Sequence, residues 1–181
     1  GEPNAPTPPM VNVWYGNTRD IGQRGVPETW WNIHGQVLDP DSVASLSYTL
    51  NGGASMALSM GPDDLRLDDV GDFIVELADA DMVAGPNTVV ITAIDEFGEQ
   101  TDEVVTLNYT ADGWWDLGYS TDFSSATAVT DVVEPVTGLW SLVPDGVRTK
   151  FRICKVHGQE GEVIRHCMGI GKRPRIIEQV F

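Results

Sequence analysis

Carboxylates are the most frequent reactive groups in this chain. Aspartates recur at short spacing: Asp39 and Asp41, Asp63 and Asp64, Asp68 and Asp69, Asp79 and Asp81, with Asp95 further on. Two carboxylates facing across a cleft, with their pKa values driven apart, would cleave a glycosidic bond. No spacing here selects such a pair, and the sequence reads as non-catalytic. Asp39-x-Asp41 and Asp79-x-Asp81 instead gather oxygens on turns, and a hard cation needs several such oxygens in one place. Calcium is therefore the one cofactor these residue types suit, with Asp39, Asp41 and Asp95 as its ligands. The competing reading is that the aspartates cap their own turns. No EF-hand loop is present.

Tryptophan is the second resource, at positions 14, 30, 31, 114, 115 and 140. An indole can stack on the apolar face of a sugar ring, or it can fill a core or a joint. In the adjacent pairs Trp30-Trp31 and Trp114-Trp115, a strand sends one ring to each side. Trp114, Trp115 and Trp140 are the candidates for carbohydrate or interface contact. The Trp114-Trp115 pair falls where the first β unit should end, a fitting place for a stiff joint.

The two cysteines, Cys154 and Cys167, sit near His157 and His166. Zinc wants four ligands in a tetrahedron, and the adjacent His166 and Cys167 point apart on any regular strand. A Cys154–Cys167 disulfide is permitted by a hairpin turning near residues 159–161. Gly169-x-Gly171-Lys172 lacks the spacing and the preceding strand of a phosphate loop. Asn108-Tyr109-Thr110 is a glycosylation sequon by pattern, relevant only in a eukaryotic secretory setting.

The elements that must position these groups are strands. "MVNVWYG" alternates Val11, Val13 and Tyr15 against Asn12 and Trp14. "TWWNIHGQVLD" places Trp31, Ile33, Gly35 and Val37 on one face. Asp39 to Ser42 is a turn. Leu46, Tyr48 and Leu50 alternate before Asn51-Gly52-Gly53, a strong hairpin signal because both central positions tolerate positive φ. "SMALSM" is the short partner strand, and "GPDDLRLDDVG" is a loop or helical turn. Phe73, Val75 and Leu77 alternate, then Val89, Ile91 and Ala93, then Val105, Leu107 and Tyr109. About seven short strands in roughly 100 residues, with turns near every tenth residue, predict an all-β antiparallel sandwich.

"VLDPDSVASLSYTLNGG" followed by "GDFIVELADADMVAGPNTVVITAIDEFGEQTDEVVTLNY" resembles a bacterial Ig-like module, of cadherin- or fibronectin-like type. The pieces that carry the resemblance are the turn at Asp39, Pro40 and Asp41, the hairpin from Leu46 to Gly53, and Gly85-x-Asn87-x-Val89-x-Ile91-x-Ala93-x-Asp95-x-x-Gly98. It covers about residues 10–110. The resemblance implies an Ig-like antiparallel β-sandwich in a secreted or cell-surface protein, and calcium at its turns. The Cys…Trp…Cys spacing of antibody domains is absent. Residues 112–149, which include "GWWDLGYSTDFSSATAVTDVVEPVTGLWSLVPDGVRT", resemble the opening strands of a concanavalin-like jelly roll, which implies polysaccharide binding or cleavage.

Domain organisation follows: a Pro-rich linker or leader over 1–9, an Ig-like sandwich over 10–110, a partial second β unit over 112–149, and a basic tail over 150–181. The opening "GEPNAPTPPM" has neither a basic nor an apolar region of signal-peptide type, and its leading glycine reads as trimming. Net charge is -16, spread unevenly. Residues 1–147 hold three basic side chains against 24 acidic ones, and residues 148–181 hold eight against three. An acidic body disfavours nucleic acid and anionic membranes, and no apolar run is long enough to span a bilayer. The change of composition near residue 148 marks either a frameshift, truncation or fusion, or a C-terminal segment whose basic face docks on the acidic body or on a neighbouring copy. The expected partners are neighbouring β domains or copies of the chain itself, with polysaccharide as the alternative.

Overall fold

Alternating burial dictates where the sheets lie. The computed structural model describes residues 7–22, 29–39, 42–63, 65–111, 123–131, 135, 138–143 and 146–149. Eight strands build the body: β1 (Met10–Val13), β2 (Thr18–Ile21), β3 (Trp30–Leu38), β4 (Val43–Leu50), β5 (Met56–Ala57), β6 (Asp72–Ala78), β7 (Gly85–Asp95) and β8 (Gln100–Tyr109). They form a three-stranded sheet, β1-β3-β6, facing a five-stranded sheet, β2-β8-β7-β4-β5. A short antiparallel hairpin follows, β9 (Trp140–Val143) with β10 (Gly146–Thr149). The fold is all-β, a two-sheet sandwich.

The core lies between the two inner faces. Phe73, Val75, Ile33, Val89, Ile91 and Val105 are fully enclosed there. Each side chain of this kind contributes roughly 1.5–3 kcal/mol on burial. Gly35 belongs to the inner face of β3 because a Cβ there would meet the Phe73 ring and the Asn12 carbonyl, each at 2.5 Å. Phe73 uses the space that a larger residue 35 would fill.

The turns follow their residue chemistry. Asn51 and Gly52 both take positive φ (51° and 71°). They begin a connection wider than a two-residue hairpin, since the first β4–β5 pair after it is Tyr48 with Met56. Asp95 closes the β7–β8 turn: its Oδ1 accepts from the backbone N–H groups of Phe97 and Glu99, both at 2.8 Å. Asp79–Asp81 forms a 3₁₀ turn after β6.

Two differences from the sequence reading matter. Tyr15 does not extend β1: the chain leaves the three-stranded sheet at Val13 and turns through Trp14, Tyr15 and Gly16, the last at φ 83°. It then re-enters the opposite sheet as β2, which pairs parallel with β8. β2 lacks an apolar alternation because its inward positions are Arg19 and Ile21, one of them charged.

Candidate functional site

The crossing from β1 to β2 leaves a gap on that side of the sandwich, and polar and aromatic side chains fill it. Trp14 N–H donates to the His34 carbonyl at 3.0 Å, continuing the β1–β3 ladder one residue past the strand. The Arg19 guanidinium donates to the Asn32 carbonyl at 2.9 Å. Arg19 is 4 % exposed and His34 is 0 % exposed, so these groups are buried. Trp14 stacks on the His34 ring (centroids 6.2 Å apart) and Tyr15 meets it edge-on (5.7 Å). The Arg19 cation lies 5.8 Å from the Tyr15 ring centroid, within the range of a cation–π contact.

Tyr15 then reaches out of the sandwich. Its hydroxyl donates to the Gly138 carbonyl at 2.6 Å and accepts from Trp140 N–H at 2.9 Å. One side chain of the first unit thus holds both backbone groups that lead into β9. The outer face of β3 is covered at Asn32 and His34, where simple alternation would place solvent.

Two further polar assemblies lock the body. Asn87, 0 % exposed, accepts at Oδ1 from Asn51 Nδ2 and Val83 N–H and donates from Nδ2 to the Val83 and Gly85 carbonyls, at 2.7 to 3.0 Å. The Gly85-x-Asn87 motif is thereby a fully satisfied buried amide. Asp79 Oδ1 accepts from the Trp31 indole N–H at 3.2 Å and from the Tyr109 hydroxyl. Its role was not legible, because Asp79 reads as one turn aspartate among many.

The connection over residues 58–71 carries its own charge pattern. Burial would raise the Asp63 carboxyl, but the N–H groups of Leu67, Leu65 and Arg66, all bonded to its Oδ1 at 2.9 Å, outweigh that and hold it below the usual range. Asp72 moves the other way: burial, with Asp69 and Asp68 charges nearby, pushes it up despite the N–H bond from Asp69. Burial raises the Tyr48 phenol as well, helped by Asp81 and Glu76.

Asp95 ends β7 and is 2 % exposed; its Oδ2 is buried with no hydrogen-bond partner among the described residues. Asp39 follows β3, and the β3–β4 connection runs beside the Asp95 turn, with Glu96 N–H donating to the Ser42 carbonyl at 3.3 Å. No group of three or more metal-ligating side chains gathers among the described residues. Trp140 is half-buried at the joint. Of the first tryptophan pair, Trp30 is 53 % exposed and Trp31 is 4 % exposed. Asp41, Trp114, Trp115, Cys154 and Cys167 lie outside the described residues. No helix among the described residues is long and apolar enough to cross a membrane.

No protein family matches the chain, and no curated protein does. Among solved structures, the endo-beta-1,4-mannanase from Thermotoga petrophila aligns at 8 % identity over 59 % of this chain and 21 % of its own, with TM-score 0.43. The fibronectin(III)-like modules of Clostridium thermocellum CbhA align at 14 % identity over 63 % of this chain and 51 % of theirs, TM-score 0.38. The SrpA adhesin of Streptococcus sanguinis aligns at 15 % identity over 80 % and 88 %, TM-score 0.38. The chain thus spans about a fifth of the mannanase and half of the CbhA modules.

Proposed function

We propose that this chain is a non-catalytic, secreted or cell-surface Ig-like module that acts in spacing, adhesion or self-assembly. The observation that carries the reading is the joint at Tyr15. A hydroxyl bonded to both Gly138 and Trp140, on a ring packed against the buried Arg19 and His34 beside Trp14, fixes one β unit to the next. Holding consecutive β units at a set angle is what a spacer does. The acidic surface of the body keeps such a module soluble and away from anionic surfaces. The test is retention on insoluble glycans together with release of reducing sugar. The reading expects neither, and hydrolysis by the purified chain would contradict it.

The alternative, the leading part of a concanavalin-like polysaccharide-binding or polysaccharide-degrading protein, draws on the exposed Trp30 ring, a platform suited to sugar stacking. Retention lost in Trp30→Ala or Trp140→Ala would favour it. Calcium is a separate proposal, and the buried Oδ2 of Asp95 supports it: a carboxylate oxygen shielded from water, with no donor among the described residues, is a good ligand for a hard cation. Asp39, Asp41 and Asp95 would hold the ion. A ligand bound only by the native state raises its stability, so a melting temperature unmoved by Ca²⁺ or EDTA would remove this proposal.

A further inference from the structure

The three-stranded sheet ends at β6, and the outer edge of that strand is bare where it counts. Val37 N–H bonds the Gly71 carbonyl at 2.9 Å. By the alternation of an antiparallel ladder, Phe73, Val75 and Leu77 then spend their backbone groups on β3, while Asp72, Ile74, Glu76 and Ala78 turn theirs away from it. Gly61 N–H occupies the Asp72 carbonyl at 2.8 Å. Beyond that point no strand among the described residues pairs with Ile74, Glu76 or Ala78. An open row of donors and acceptors is a template for an added strand.

Charge says which strand fits. Glu76 stands in the middle of the edge, held at one oxygen by Arg66 at 2.7 Å, and Asp72, Asp79 and Asp81 lie at its ends. Symmetric antiparallel pairing of two β6 edges, in any of the three central registers, sets Glu76 directly opposite or diagonal to Glu76 or Asp72 of the other copy. Like charges so placed destabilise a pair. A basic strand does the opposite, and this chain contains one. Arg148, Lys150 and Arg152 fall at every second position, alternating with Thr149, Phe151 and Ile153, and no proline follows until Pro174. Extended, that stretch puts its cations on one face and its apolar residues on the other. Beside β6 the cations would share the outer face with Glu76, and Phe151 and Ile153 would share the core face with Val75 and Leu77.

The point of departure favours a neighbour's edge. Thr149 pairs with Trp140, whose N–H is bonded to Tyr15, on the β1 side of the sheet. β6 is the opposite edge of that sheet. We propose that the open edge of β6 receives, as an added strand, the basic segment around residues 150–153 of a neighbouring copy, so that copies join edge to tail. This rests on the self-assembly branch of the function proposed above. A contact of this type is heterologous and can repeat.

Sedimentation of the full chain over a concentration series tests it. The expected result is a mass that rises with concentration and falls with added salt, because salt screens the charge contribution. Glu76→Lys, which leaves the core untouched, should weaken association about tenfold or more, equivalent to one lost favourable contact. Ile74→Pro should do the same, since it removes an outward N–H that β3 does not use. The double variant Lys150→Glu/Arg152→Glu should also fail to associate alone, and mixing it with Glu76→Lys should restore association, since each then keeps one intact half of the contact. A monomer at every concentration would overturn the proposal, as would association that survives Glu76→Lys and Ile74→Pro. Neither result touches the glycan test, so the failure of this contact and the failure of the module reading are separable.

Discussion

The two edges of the three-stranded sheet are finished in opposite ways. On the β1 side, the chain breaks off the strand at Val13 and fills the resulting gap with Trp14, Tyr15, Arg19 and His34, so that the backbone carbonyls of Asn32 and His34 are both bonded. On the β6 side, Ile74, Glu76 and Ala78 face outward, and among the described residues a half-exposed ion pair, Arg66 to Glu76, is what lies across them. The first edge uses buried polar groups to bond the β3 carbonyls that β1 leaves uncovered where it ends. The second relies on surface charge, which deters a like edge and admits an opposite one. One sheet thus carries a joint on one side and, on the other, the open strand to which the proposed contact is assigned.

The comparison breaks most easily at Arg19. Arg19→Ala leaves the Asn32 carbonyl buried and unbonded and removes the aliphatic packing of the stem, so about 3 kcal/mol should be lost, read from a denaturant midpoint. Tyr15→Phe is a cleaner cut. It keeps the ring on His34 and deletes the hydroxyl that serves Gly138 and Trp140. A loss of about 1–2 kcal/mol is expected in the docking of the β9–β10 hairpin, visible as faster amide exchange at Trp140 with the body's exchange unchanged. Asp63→Ala, in the connection leading to the open edge, should cost about 1 kcal/mol, the usual worth of a side chain that caps several backbone N–H groups. Its carboxyl is held low, so this stabilisation is fully present above the ordinary aspartate value and is lost as the pH falls from there through the lowered folded value.

Ile74→Thr should change the melting temperature least among these, shifting stability by no more than about 0.5 kcal/mol, as befits a partly exposed edge position. Asp72→Asn sharpens the same side through pH. A carboxyl held high keeps its proton more tightly in the folded state, so the stability it contributes is present at low pH and is lost as the pH rises through its raised folded value. The asparagine variant should lack that decline. It should gain on the parent, by a few tenths of a kcal/mol, in a melting series run upward from about pH 4.

The body's strands were legible because their inward positions are apolar at period two, as in Phe73-Val75-Leu77 and Val89-Ile91-Ala93. Asn51-Gly52 and Asp95 with Gly98 announced turns through residues that tolerate or cap them. β2 was not legible because a buried arginine replaces the apolar residue that period-two reading needs. The joint was hidden for a related reason. Trp14 and Tyr15 continue the alternation of β1 in sequence, and only the crossing to the other sheet turns them onto His34. His34 itself occupies a position that alternation assigns to solvent, and its burial depends on residues far away in the chain. The open edge at β6 depends on sheet order, which is a property of the assembled topology rather than of any local stretch.

Residue-resolved amide exchange on the full chain, at the lowest workable concentration and again at high concentration, tests the contrast between the edges most directly. The account predicts that Trp14 and Trp140 exchange slowly throughout, while Ile74, Glu76 and Ala78 exchange fast when dilute and slow down as copies meet. Slow exchange at Ile74, Glu76 and Ala78 in the dilute sample, or fast exchange at Trp14 and Trp140, would contradict it.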